Sequence, residues 1–268
     1  MSDYFGIFKD LKDLELPTND MDLYEGYFAD FYDHFTINSK EDMDIYIPQM
    51  EEVNGKVLEL ACGTGRILLD TARKGYNITG LDLSDSMLEI LNNKIKHEPA
   101  EIQDNIKLLK EDMTSFQLNE KYGVCILGAT SICLLENDDL VLKMMNNVYE
   151  HLETGGRFIF DYTVSEPNLN KPIELEPIRT FTKVNKDNKQ FVLIGEKKNY
   201  DDMVSDVNFY AEIIDKSQNT IRNFGHTRKR LLTDKIISRN IKKTSFKLKN
   251  SFVMKEGKIK IRFVVLEK

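Results

Sequence analysis

The stretch Val57-Leu58-Glu59-Leu60-Ala61-Cys62-Gly63-Thr64-Gly65 decides how this chain is read. Its apolar start predicts a buried β-strand over 56–62. Its glycines predict a tight turn into a helix over 65–74. A second strand is predicted over 77–81, and Asp82 follows it, 17 positions after Gly65. Glycines let a ligand approach the backbone, and a carboxylate at the next strand end can accept from both hydroxyls of a ribose. The pair therefore points to a cradle for a nucleoside.

The pattern continues outward from that turn. Ser84 is a predicted N-cap for a helix over 85–97. Strands are predicted over 106–110, 123–127 and 157–162, with a helix over 138–152 that ends near Gly155-Gly156. Alternating strands and helices imply a parallel sheet with helices on both faces. After about 164 the rhythm changes. Pro167, Pro172 and Pro177 punctuate a connection. Segments near 178–185, 190–200, 204–215 and 220–231 then read as antiparallel strands joined by polar turns such as Lys186-Asp187-Asn188. A short helix starts at Thr233. Two last strands, 244–253 and 258–267, are joined through Lys255-Glu256-Gly257. Ahead of the core, Tyr24, Tyr27, Phe28, Phe31, Tyr32 and Phe35 recur at spacings of three and four, which predicts an amphipathic helix over 22–36. Pro48 marks the way into the core. The expected organisation is an N-terminal helical lid over 1–50, a core over 51–165 and 232–268, and an inserted antiparallel β subdomain over 166–231.

Composition narrows the function classes. The chain has 268 residues, 41% of them hydrophobic, and a net charge of −7, which argues against a broad basic face for nucleic acid. The three cysteines, Cys62, Cys125 and Cys133, sit in apolar runs without a C-x-x-C pair, so reduced thiols in a cytoplasmic protein are expected. No apolar run approaches the roughly 18 residues of a membrane span, and no basic stretch leads into an apolar one at the amino terminus. The chain is therefore expected to be soluble and not bound to membrane. Its Lys- and Asn-rich composition suggests a bacterial source.

The glycine turn departs from two familiar cradles. The third glycine of G-x-G-x-x-G is replaced by Leu68, which disfavours a nicotinamide site, and no Gly-Lys-Ser/Thr follows as in a P-loop. A plain strand–turn–helix would explain the glycines alone. It would not explain Glu59 and Asp82, two carboxylates set in or at the end of apolar strands, where burial is costly without a partner.

Together, the segments 57–65, Gly80-Leu81-Asp82-Leu83-Ser84, Glu111-Asp112-Met113 and 152–160 resemble the successive motifs of class I S-adenosylmethionine-dependent methyltransferases, in order and at normal spacing. The resemblance implies an α/β fold, a Rossmann-like seven-stranded sheet, with S-adenosylmethionine as cofactor and S-adenosylhomocysteine as product. It implies that Glu59, Ala61, Gly63 and Gly65 surround the amino-acid end of the cofactor and that Asp82 binds the ribose. Leu83 and Met87 would pack on the adenine. Asp112 would accept from the adenine amino group, beside the Met113 N–H. Leu127 and Gly128 would border the methionine part. Arg66 either reaches the cofactor carboxylate or is a solvated helix residue.

A narrower resemblance rests on the Tyr24…Tyr32-Asp33 spacing, on Ala129-Thr130-Ser131-Ile132 and on the insertion after the fifth strand. These look like the small-molecule N-methyltransferases, namely the amino-sugar N,N-dimethyltransferases and glycine N-methyltransferase-like enzymes. In those, a tyrosine helix folds over the cofactor and the inserted sheet builds the substrate pocket; here the sheet could also serve a homodimer contact. The histidine that tends to follow the Ser-Ile pair in the sugar enzymes is replaced by Leu134, which cannot accept a proton.

A neutral amine is already a nucleophile, so positioning and desolvation suffice for its methylation, whereas oxygen acceptors more often need a base or a metal. No cluster has metal-ligand spacing. His34, His97, His151 and His226 are scattered; His97 and His151 lie near helix C-termini, where a structural role is expected. The candidate catalytic residues are Tyr24 and Asp161, with Tyr24 and Tyr32 as cofactor contacts. The alternatives are that Asp161 caps a local turn and that the tyrosines form a core stripe. Tyr27, Ser131 and Tyr162 are further pocket candidates. His226, Arg228 and Arg230 read as a solvated basic edge strand or as a carboxylate site. The expected reaction is methylation of an amine nitrogen in a small molecule or short peptide. O- or C-methylation and a noncatalytic nucleotide-binding module remain as alternatives.

Overall fold

The computed structural model describes residues 4–36, 42–167, 171–184, 188–257 and 259–268. Residues 1–3, residues 37–41 of the predicted lid, Lys186 and Asp187 of the predicted turn, and the Phe35 side chain lie outside the described residues. In chain order the elements are α1 (Ile7–Asp13), β1 (Asn19–Asp22), α2 (Gly26–Thr36), α3 (Met43–Val53), β2 (Val57–Leu60), α4 (Arg66–Arg73), β3 (Ile78–Asp82), α5 (Asp85–Ile95), α6 (Ala100–Gln103), β4 (Ile106–Lys110) and β5 (Tyr122–Leu127). A 3-10 turn (Ser131–Leu134) follows, then α7 (Asp138–His151), β6 (Leu152–Thr163), β7 (Ile173–Leu175), β8 (Arg179–Val184), β9 (Asn188–Asn199), β10 (Val204–Asp215), β11 (Thr220–Arg230), α8 (Asp234–Ile241), β12 (Lys247–Glu256) and β13 (Ile259–Glu267).

The chain divides into two compact units, 1–31 with 166–231, and 32–165 with 232–268. The second holds a seven-stranded sheet in the order β12-β13-β6-β5-β2-β3-β4. Strands β2 to β6 run parallel, and β13 is antiparallel to both of its neighbours. Every residue of β2 and β5 is buried. That is why both read as largely apolar runs, Glu59 excepted, rather than as alternating ones: helices cover both faces. The local signals hold at several boundaries. Ser84 Oγ accepts from Met87 N at the start of α5, and Thr233 Oγ1 accepts from Ile236 N at the start of α8.

The missing third glycine has a structural answer on the adjacent strand. Leu68 is fully buried. A Cβ on Gly80 would stand 2.4 Å from Leu68 Cδ1 and 2.9 Å from Cys62 Sγ. Room for close helix–strand approach thus comes from Gly80 in β3, which the larger Leu68 fills. Gly80→Val is expected to cost at least about 1–3 kcal/mol through overpacking, read as a fall in the urea midpoint with the slope unchanged.

The first unit holds a mixed sheet in the order β1-β11-β10-β9-β7, with β8 also pairing β9. The predicted antiparallel segments form it. The strand from the amino-terminal segment, β1, was not expected: it pairs parallel with β11, matching Asn19 to Asn223 and Asp22 to His226. One apolar cluster here gathers Leu23, Phe28, Val192, Ile194, Val207 and Phe209. A second seats Phe8 of α1 on Tyr210 and Phe224.

Three expectations are corrected. The aromatic helix begins at Gly26, not at 22, because Asp22 Oδ1 accepts from Tyr24 N and holds that segment in a turn, and Gly26 starts the helix at φ +52°. Pro48 lies inside α3 rather than at a boundary. Strand β11 lies between β1 and β10 over Asn223–His226, so His226 is not on an edge, while Arg228 lies past the pairing with β1. Both face Asp206, which is only 5% exposed, with Arg228 Nε at 2.6 Å and His226 Nε2 at 3.5 Å.

Candidate active site

The glycine turn is held by the acid that the sequence paired with it. Ala61, Gly63 and Gly65 adopt positive φ of 51°, 53° and 85°. Asp82, at the end of β3, closes this turn: its Oδ2 accepts from Gly63 N at 2.8 Å and its Oδ1 from Ser84 N at 2.9 Å. The neighbouring Leu83 is 58% exposed, an apolar side chain at the place expected for the adenine. Met87 is only 1% exposed. On the next strand end, Asp112 Oδ1 accepts from Thr114 N at 2.7 Å, which fixes the turn after β4. Met113 packs partly buried against the core.

Beyond the carboxyl end of β2 lies a small cavity, whose walls include Tyr32, Glu59, Ala61, Gly63, Arg66 and Ser131. Leu127, at the end of β5, is fully buried, and the next residue, Gly128, borders the cavity. Glu59 is the unusual member. It is 3% exposed, and its Oε2 has no hydrogen-bond partner among the described residues. Burial pushes its carboxyl well above the usual range. Arg66 opposes that shift, while Asp42 and Asp82 reinforce it. Such a group calls for a cation, and the ammonium of an amino acid would supply one.

Arg66 is not a solvated helix residue: its side chain is 14% exposed and borders the cavity. It clamps Asp42, the residue before α3, with bonds of 2.7 and 2.6 Å from its two terminal nitrogens. Asp161 serves a neighbouring turn. It is 2% exposed and accepts from Thr130 N and from the Tyr46 hydroxyl, the latter at 3.4 Å. It therefore clamps the strained Ala129–Thr130 turn after β5, where both residues have positive φ. Burial pushes Asp161 up to about 7 despite the Thr130 bond. Tyr24 lies in the first unit, packed against the cluster that contains Leu23 and Phe28, as the core-stripe alternative expects. Tyr32 does wall the cavity. His151 is structural: it bridges Asn147 O and Leu118 N.

Sequence reasoning missed the residues that fasten Tyr32 in place. Asp33 accepts from Thr64 Oγ1 at 2.6 Å and from Lys94 Nζ, and Lys94 Nζ also donates to Thr64 O at 3.0 Å. These partners are separated by 31 and 61 positions, so no local spacing reveals them.

A parallel sheet with a final antiparallel strand and a glycine turn closed by the next strand's acid make up an α/β, Rossmann-like methyltransferase fold. Residues 57–156 match the family described as methyltransferase domain. The chain is 28% identical over 141 residues to the putative methyltransferase YqeM of Bacillus subtilis, covering 52% of this chain and 55% of that protein. It is 27% identical over 119 residues to the ubiquinone biosynthesis O-methyltransferase of Coxiella burnetii, covering 43% and 47%. The chain thus spans about half the length of the curated relatives it matches. Among solved structures, an S-adenosylmethionine-dependent methyltransferase from Clostridium acetobutylicum superposes with a TM-score of 0.68 at 19% identity, over 90% of this chain and 97% of that one. The glycopeptide N-methyltransferase MtfA, complexed with S-adenosyl-L-homocysteine, gives 0.58 at 22% identity, over 84% and 88%. The cofactor that these likenesses support is S-adenosylmethionine.

Among the described residues no helix is long and apolar enough to cross a membrane. The three cysteines are buried and form no disulfide.

Proposed function

We propose that this protein is a methyltransferase that moves methyl groups from S-adenosylmethionine to an amine nitrogen of a small molecule or short peptide. The observation that carries the amine reading is the commitment of Asp161. It is the carboxylate that β6 brings to the carboxyl end of the sheet, and its oxygens serve Thr130 N–H and the Tyr46 hydroxyl. An acceptor that brings its own lone pair asks nothing more of it. The likeness to MtfA, whose name states N-methylation, supports the same reading. The likeness to an O-methyltransferase supports the alternative.

Bound at this site, S-adenosylmethionine would supply a methyl group activated by a sulfonium. The chain's own work is positioning. Asp82 accepts from the ribose, Leu83 offers an apolar surface to the adenine, and Asp112 fixes the adjoining turn. Glu59 balances the ammonium. Tyr32 excludes water from the methionine end, which lowers the cost of charge redistribution during transfer. Asp161 holds the 129–130 turn that shapes the cavity rim.

The test is a mass-spectrometric screen of amines, basic peptides and hydroxyl compounds with the purified protein and S-adenosylmethionine. Mass gains of one or two methyl groups confined to amines are the expected result; gains confined to hydroxyl acceptors would overturn the amine reading. A second expected outcome concerns Glu59. Cofactor affinity should rise with pH as Glu59 ionises, because only the carboxylate balances the ammonium. Glu59→Gln should flatten that dependence in calorimetric titrations between acid and neutral pH.

A further inference from the structure

Residues 111–121, between β4 and β5, contain no helix or strand. Glu111 N donates to Asp82 O at 3.2 Å, which ties the ends of β3 and β4 together beside the exposed Leu83. Asp112 then folds the chain into a tight turn. Its carbonyl accepts from Ser115 N and Phe116 N, each at 2.9 Å, and its Oδ1 from Thr114 N at 2.7 Å. One face of α7 fastens this turn. Asn147 Nδ2 donates to Phe116 O at 3.1 Å, the Phe116 ring packs on His151 with centroids 4.6 Å apart, and Leu118 N donates to His151 Nε2 at 3.1 Å. Asn147 and His151 are one helical turn apart, so a single face makes all three contacts. Phe116 is fully buried and His151 is 7% exposed. The partners also fix the tautomer. Nδ1 lies 2.8 Å from Asn147 O, which can only accept, so Nδ1 carries the proton and Nε2 accepts from Leu118.

We propose that Asn147 and His151 are positioning residues for recognition of the cofactor's base: by gripping Phe116 and Leu118 they hold Asp112 where its carboxylate accepts from the exocyclic amino group. The inference rests on the proposed methyltransferase reading, and it extends that reading to α7, which supplies none of the cofactor contacts named above. The physical reason is the lack of a regular element. With no helix or strand to restrain it, the turn depends on its anchors, and a lost anchor leaves a buried group unpaired and frees backbone that binding must order again. His151→Leu removes the acceptor of the Leu118 N–H while keeping an apolar side chain beside Phe116. His151→Gln returns an acceptor oxygen that can take that bond again.

The experiment is a pair of calorimetric titrations of the full chain, one with S-adenosylhomocysteine and one with its analogue that carries purine in place of adenine and so lacks only the amino group. Wild type should prefer the adenine compound by about tenfold or more, the worth of one hydrogen bond to a charged group. His151→Leu should bring the two affinities together, chiefly by weakening the adenine compound, and His151→Gln should restore the preference. Asn147→Ala should narrow it in the same way and serves if His151→Leu does not fold. A role confined to stability would lower the melting temperature, or weaken both compounds alike, and leave the preference at its wild-type value; that result overturns the proposal. So does a wild type that binds both compounds equally, since Asp112 then reads no amino group. A wild type that binds neither overturns the methyltransferase reading itself, so the two failures are distinguishable.

Discussion

Asp82→Ala is expected to weaken S-adenosylmethionine binding by more than tenfold, a loss of at least about 1.4 kcal/mol. Two contributions add. The variant removes a charged acceptor for the ribose hydroxyls, where each such hydrogen bond is stronger than a neutral one. It also removes the anchor of the turn, because Gly63 N and Ser84 N lose their shared partner. The turn holds positive φ at Ala61, Gly63 and Gly65, so without its anchor it has more conformations to lose on binding. Asp82→Asn separates the contributions, since it keeps an acceptor oxygen but not the charge, and should fall between wild type and alanine. Calorimetric titration of all three checks this; unchanged affinity in Asp82→Ala would remove Asp82 from the site.

Asp161→Asn is expected to stabilise the protein above neutral pH by up to about 4 kcal/mol, the equivalent of the upward shift of its carboxyl to about 7. The sign follows from proton counting. An unfolded chain releases this proton near pH 4, whereas the folded chain keeps it until about pH 7. Between those limits the native state binds more protons, so its stability falls as pH rises. Asparagine carries no charge to bury and can still accept from Thr130 N, so its curve should be flat in this window. At pH 4, where the wild-type group is neutral in the folded state, the two proteins should be alike. Urea denaturation at pH 4 and pH 8 reads the difference. Equal stability at both values would show that the carboxylate is solvated or paired when folded. Glu59, also pushed upward by burial, adds a wild-type slope of the same sign that both proteins share.

The sequence made the core legible because its signals are local. Strands β2, β3 and β5 are almost wholly buried and therefore read as mostly apolar runs. The caps at Ser84 and Thr233 act within four residues, so they too can be read directly. The amino-terminal elements were less legible. The strand β1 reads Asn-Asp-Met-Asp, a poor strand former that exists because β11 offers it hydrogen bonds. Aromatic spacing ran on through Tyr24, yet the Asp22 turn overrides periodicity there. Within the site, Asp82 and Glu59 stood out as carboxylates in apolar strands. The pairings of Arg66 with Asp42 and of Lys94 with Asp33 connect distant segments and carry no spacing signal.

The central claim is that the glycine turn and Asp82 form an S-adenosylmethionine site. Titration calorimetry of the wild-type protein with S-adenosylmethionine, alongside a nicotinamide dinucleotide, tests it most directly. Saturable binding of S-adenosylmethionine at one site per chain, with no heat from the dinucleotide, is the predicted result. Binding of the dinucleotide alone, or of neither, would contradict it.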